Sequence, residues 1–293
     1  MKMWRSTISL FLLAMSGCQS GKESASTQPT TTQWGPMQMT VTAQESGGGD
    51  PGDPHPRLSA MVHLDIYMID LPAGTVSGNR EFWKRLDEDA PGSATAQRLN
   101  RNGVRCGVAP RTEGLYFSQF FDKQPHPPAR RSRVDGIATE SIPLEMEKKF
   151  DQQDLFFFNA AGELEGRSYE AGENQLSLTF GPTPRDPNSV RMTLCPVVTS
   201  EKTRTEFTPL NQQYDLAYHD VDRIYDLGLT VDVPGDSFMV IAPSPDAARR
   251  SSLGGCFLTT TDKSQRMEQV IVIVPTFLRL DGKPMVVREQ LVK

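Results

Sequence analysis

The sequence predicts an α+β protein. A small β-α-α-β-α unit over 58–122 leads into a β-rich body over 136–293, folded as a sandwich or a partly closed barrel. Three observations carry that expectation. Between 58 and 122, period-2 apolar stretches alternate with stretches whose apolar residues fall on one helical face. Beyond 140, short apolar runs are separated at near-regular intervals by Gly and Pro turn signals, as in sandwiches and barrels. With 293 residues, 37% of them hydrophobic and 23% charged, the chain can build a core and is not disordered from end to end.

The elements follow in order. Val62, Leu64, Ile66 and Met68 alternate with His63, Asp65 and Tyr67, the pattern of a half-buried strand closed by Pro72-Ala73-Gly74. A short helix follows, with Ser77 or Asn79 as N-cap and Phe82, Trp83 and Leu86 on its apolar face. A second helix is expected over Ala94 to Arg101, capped by Ser93 and ended by Asn102-Gly103. Val104 to Val108 reads as a strand, and Pro110 opens a third helix that offers Leu115, Phe117, Phe120 and Phe121 for packing. Lys123 to Asp135 is Pro-rich and basic, with Arg130, Arg131 and Arg133 close together; it reads as a surface loop, or as a site for an acidic partner. Strands are expected over 141–147, 154–159, 175–181, 190–199, 203–208, 226–233, 238–242 and 270–275.

Cysteines and acidic residues give little chemistry. Cys106, Cys195 and Cys256 sit in strand-like or apolar sequence, where buried thiols and one disulfide are both open readings. His219-Asp220-Val221-Asp222, followed by Asp226, offers ligand types for a hard cation but reads as a solvated turn entering a strand. Asp50, Asp53 and His55 lie among Pro and Gly and read as linker. No zinc-protease His pair, nucleophile elbow, phosphate loop or EF-hand loop occurs, so no catalytic residue, metal ligand or cofactor is assigned. A formal net charge of −5 argues against nucleic acid as a partner.

The first 17 residues are an export signal: Lys2 and Arg5, an apolar run, then small residues before Cys18. That apolar run is shorter than the roughly 20 residues a membrane span needs. Ser16-Gly17-Cys18 resembles the lipobox of bacterial lipoproteins, with Met15 where that family most often has Leu. The resemblance implies that the Cys18 thiol carries a diacylglycerol and that Cys18 becomes the first mature residue. Residues 18–57, rich in Ser, Thr, Gln, Gly and Pro, are then expected to be a flexible linker with a reach of about 35 Å.

A second resemblance is shorter. Val233-Pro234-Gly235-Asp236 with the strand after it, then Leu253-Gly254-Gly255-Cys256-Phe257 and Val270 to Pro275, is similar to the late part of bacterial secretins. Ala242-Pro243 stands where that family usually has a glycine pair. The expected function is that of a lipid-anchored, non-catalytic binding or scaffold protein of the bacterial envelope, on the outer membrane and facing the periplasm, with an envelope protein as partner. The alternatives are an accessory lipoprotein of a secretion channel, which the second resemblance implies, and a hydrolase whose site assembles from scattered residues.

Overall fold

The computed structural model describes residues 60–124, 130–136, 141–183, 186–207, 213–262 and 264–279. The expected signal peptide, Cys18 and the linker with Asp50, Asp53 and His55 lie outside them.

The alternating segment forms β1 (Ala60–Pro72), and every residue of it pairs with the C-terminal β13 (Gln265–Arg279). Next to these run β2 (Val104–Pro110), β3 (Arg130–Gly136) and β11 (Ser237–Pro243), giving a first sheet in the order β2-β11-β13-β1-β3, with the short β12 (Thr259–Asp262) paired to β13. Two strands from the C-terminal part of the chain therefore lie between β2 and β1. The second sheet runs β10-β8-β7-β4, from β4 (Ile142–Phe150), β7 (Gly172–Thr183), β8 (Asp186–Phe207) and β10 (Leu229–Pro234). β9 (Gln213–Arg223) pairs with the far half of β8, and β5 (Gln153–Phe158) with β6 (Leu164–Tyr169) makes a separate hairpin. All these pairings are antiparallel, and neither sheet closes on itself. The protein is a sandwich and not a barrel.

Period-2 geometry explains the layers. Val62, Leu64 and Ile66 of β1, with Ile271 and Ile273 of β13, face Leu178, Met192 and Leu194 of the second sheet across one core. The opposite face of the first sheet changes along its length. Ile69, Leu71, Val270, Val272, Phe238 and Val240 are covered by α1 (Arg80–Trp83) and α3 (Gly114–Asp122), whereas His63, Asp65 and Tyr67 stay partly open. Strands β11 and β13 are buried on both faces where the helices cross, which is why they read as unbroken apolar runs. Phe82 centres the helical layer, its ring 4.9 Å from Phe117 and 5.0 Å from Phe120.

Several expectations change. Gly114, Phe117, Ser118 and Phe121 form the buried i, i+3, i+4, i+7 stripe of α3, which turns Leu115 outward to 66% exposure. The helix α2 (Ser93–Arg101) begins at Ser93, with Gly92 in the cap position and no side-chain cap bond. The two strands expected over 190–199 and 203–208 are the single strand β8, because β9 takes over as partner where β7 ends. Of the strand expected at 226–233, the first residues form a 3₁₀ turn at Tyr225–Leu227. No disulfide joins Cys106, Cys195 and Cys256 to one another. Burial, then the charge of Glu88, pushes the Cys106 thiol up to about 12, so it is not a nucleophile at neutral pH.

Two buried polar groups tie the layers. Asn102 ends α2 as expected, and its side chain also donates to the Phe158 carbonyl (2.9 Å) and accepts from the Phe158 N–H (2.7 Å), joining α2 to β5. Glu268, 1% exposed, accepts from the backbone N–H groups of Gly74, Val76 and Ser77 and so holds the loop that leaves β1.

Candidate functional site

The open half of the outer face of the first sheet gathers the charged residues. Register places Arg131 opposite Tyr67, Arg133 opposite Asp65 and Asp135 opposite His63, so these three polar residues of β1 each meet a charged one on β3. The expected loop over 123–135 is therefore a strand in its second half. Pro125, Pro127 and Pro128 all precede it, and neither they nor His126 are among the described residues.

One carboxylate oxygen organises the cluster. Asp65 Oδ1 accepts from Arg131 Nη2 at 2.9 Å and Nε at 3.2 Å, and from Arg133 Nε at 3.3 Å; His63 Nε2 lies 3.6 Å away. The other ring nitrogen of His63 contacts the Asp135 carboxylate. Arg131 lies over the Tyr67 ring, 5.4 Å from its centroid. Arg111, from the turn after β2, donates to the Pro275 carbonyl and to Thr276 Oγ1 (3.2 Å). The Thr276 hydroxyl, opposite His63 in the register, thus accepts from a guanidinium. The result is an array of three guanidinium groups among the carboxylates of Asp65, Asp135 and, beside Arg111, Asp236, in which the exposed Arg131 and Arg133 are suited to binding anionic groups by charge-assisted hydrogen bonds.

Burial alone would raise the Asp65 carboxyl, but the hydrogen bonds and charge of Arg131, with His63 and Arg133, outweigh it and hold the group below its ordinary value. Asp222 behaves alike: burial would raise it, and hydrogen bonds from Tyr169 and Arg167 bring it down. A carboxylate with a lowered folded pKa contributes stability that is full above its unfolded value, about pH 3.9, and lost as pH falls through the folded one. Asp65→Asn is therefore expected to lower stability at pH 7 and to shrink the loss of stability between about pH 5 and pH 2. Urea unfolding of both proteins across that range measures it, and an unchanged acid slope would contradict the assignment.

The sequence cluster at 219–226 disperses. It lies within β9 and the turn after it, where alternation puts Asp220 and Asp222 on one face and His219 on the other. Asp222 is held by Arg167 Nη1 (2.9 Å) and Tyr169 Oη (2.6 Å), Asp220 by Lys202. Arg130, Arg131 and Arg133 were legible as a basic group, and the structure adds His63, Asp65, Tyr67, Arg111, Asp135 and Thr276. Their signal was the polar half of the β1 alternation, whose partners lie roughly 70 residues away.

Two cavities among the described residues are small. One, about 20 Å³, is apolar and lies in the core among Leu99, Leu194, Ile241 and Phe257; the other, about 50 Å³, lies beside Asp70, Thr259 and Gln269. Small-molecule sites usually offer roughly 300–1,000 Å³. No described helix is long and apolar enough to cross a membrane. Comparison of the chain with protein-family models, curated proteins and solved structures finds no match in any of the three.

Proposed function

We propose that this chain is a lipid-anchored, non-catalytic binding protein of the bacterial envelope, held at the outer membrane through Cys18 and facing the periplasm. The observation that carries the binding part is the arginine-rich edge of the first sheet, an open charged surface with 39% of the Arg131 and 58% of the Arg133 side chain exposed. Such a surface suits a protein partner better than a small substrate, since surface loops and edges can engage extended segments that no 50 Å³ cavity could hold. The anchor part rests on Ser16-Gly17-Cys18 after a short apolar run. Two or three acyl chains, at about 0.8 kcal/mol per buried CH₂, hold a folded domain firmly at a bilayer.

Cys18→Ser is expected to move the protein into the soluble fraction and to abolish acyl labelling. A variant that still sediments with membranes would refute the anchor. For the binding part, the detergent-solubilised full chain should capture an envelope protein reproducibly, in a manner weakened by salt. Failure to retain any partner at low salt would refute that part.

A further inference from the structure

We infer that β3 is a docking edge to which an extended acidic segment of a partner protein adds as a further strand of the first sheet. The inference deepens the binding reading above and rests on it.

The two ends of the first sheet differ. On the β2 side the backbone is already engaged: Asp87 N–H donates to the Val108 carbonyl at 2.7 Å, and Val108 N–H donates to the Asp87 carbonyl at 3.0 Å. On the other side, among the described residues, β3 is the last strand and pairs only with β1. A terminal strand presents a row of N–H and C=O groups that an extended chain can use.

Charge selects the occupant. Arg131 to Asp135 holds two arginines and one aspartate in a chain whose formal net charge is −5. The other open edges lack this excess. β4 reads Ile-Pro-Leu-Glu-Met-Glu-Lys-Lys-Phe and β6 Leu-Glu-Gly-Arg-Ser-Tyr, each with as many acidic as basic residues. Arg131 and Arg133 share one oxygen of Asp65, so two cations are met by one anion, and Arg133 engages it through Nε alone. A guanidinium has five N–H donors in a fork that matches a carboxylate. The two arginines stand two residues apart on one face of β3, a spacing of about 6.6 Å, which is also the spacing of alternate side chains on an added strand. The same arginines would repel the β3 edge of a second copy of this chain, which makes a heterologous acidic strand the occupant.

The test uses the full chain in detergent and a fluorescein-labelled octapeptide that alternates Glu with Thr. The matching Lys/Thr peptide and two versions of the Glu/Thr peptide, N-methylated at one or the other set of alternate backbone nitrogens, serve as comparisons. The Glu/Thr peptide should bind and the Lys/Thr peptide should not. One methylated version should lose binding and the other keep it, because only one edge of an added strand faces β3. Arg133→Gln, an exposed position whose replacement should leave the melting temperature nearly unchanged, should weaken binding about tenfold. Amide hydrogen exchange should slow at 130–136 on binding.

Equal binding of both methylated peptides, protection elsewhere than 130–136, or no binding of the Glu/Thr peptide would overturn strand addition. A partner captured from solubilised envelope equally by the wild-type chain and Arg133→Gln would overturn it too, while leaving the binding reading intact. If the wild-type chain captures nothing, the binding reading itself falls.

Discussion

Glu268→Ala is expected to cost about 3–5 kcal/mol of stability and to lower the melting temperature by roughly 10 °C. Glu268 is 1% exposed, and its carboxylate is the acceptor for three backbone N–H groups in the loop from Gly74 to Ser77. Removing it leaves those donors facing a protein interior with nothing to accept them, and each hydrogen bond to a charged group contributes about 1.5–3 kcal/mol. The loop in turn sets Val76, whose carbonyl accepts from Trp83 Nε1 at 2.9 Å, and Asn79, whose side chain caps α1. Glu268→Gln should cost about half as much, since one oxygen remains while the amide NH₂ opposes the other donors. Thermal melts of the two variants measure the difference. If Glu268→Ala melts with the wild type, the anchoring role is wrong.

Gly254→Ala should be nearly as damaging, for a different reason. A Cβ at Gly254 would land on the carbonyl group of Gly103 and come within 2.9 Å of its Cα. Both are backbone, so no rotamer relieves the overlap, and the cost should reach about 3 kcal/mol or more. The close approach exists because Gly254 N–H donates to the Asn102 carbonyl at 2.9 Å, pressing the buried helix α4 (Leu253–Phe257) against the end of α2. Gly92→Ala supplies the comparison. Gly92 has φ near 88° and nothing within 4 Å of an added Cβ, so only backbone strain of about 1–2 kcal/mol is expected there. Equal losses for the two variants would mean that the α2–α4 contact relaxes freely.

What the sequence disclosed was local. The β1 alternation, a cap at Ser77 or Asn79 (Asn79 in the fold), the Asn102-Gly103 helix end and the runs at 238–242 and 270–275 all follow from period or turn chemistry within a few residues, and each has its counterpart in the fold. The sandwich was legible in the spacing of strands, as one of two architectures. What escaped depended on distant partners. Arg130 to Gly136 read as loop because neighbouring prolines and clustered charge hide a strand whose pairing is decided by β1. Glu268 carries no signal of its own in the sequence, since its acceptor role needs the loop after β1 some 190 residues away. Asp222 read as a solvated turn residue because Arg167 and Tyr169 reach it from a separate hairpin. The candidate site belongs mostly to this second class: the arginines of β3 were visible, whereas Arg111 and the carboxylate that arranges the cluster were not.

The pairing of β1 with β13 also bears on the order of assembly. These strands bracket the described chain, roughly 200 residues apart, yet sit side by side in the middle of the first sheet. Such contacts bring no reward until the loop between them has closed, and folds dominated by them form slowly. A chain made or exported from its N-terminus presents β1 first, with Val62, Leu64 and Ile66 uncovered and both strand edges open, and must wait for its last strands before that surface is sheltered. The interval is one in which the growing protein needs protection from its own neighbours, and any event that ends synthesis before residue 265 leaves the first sheet without its central strand.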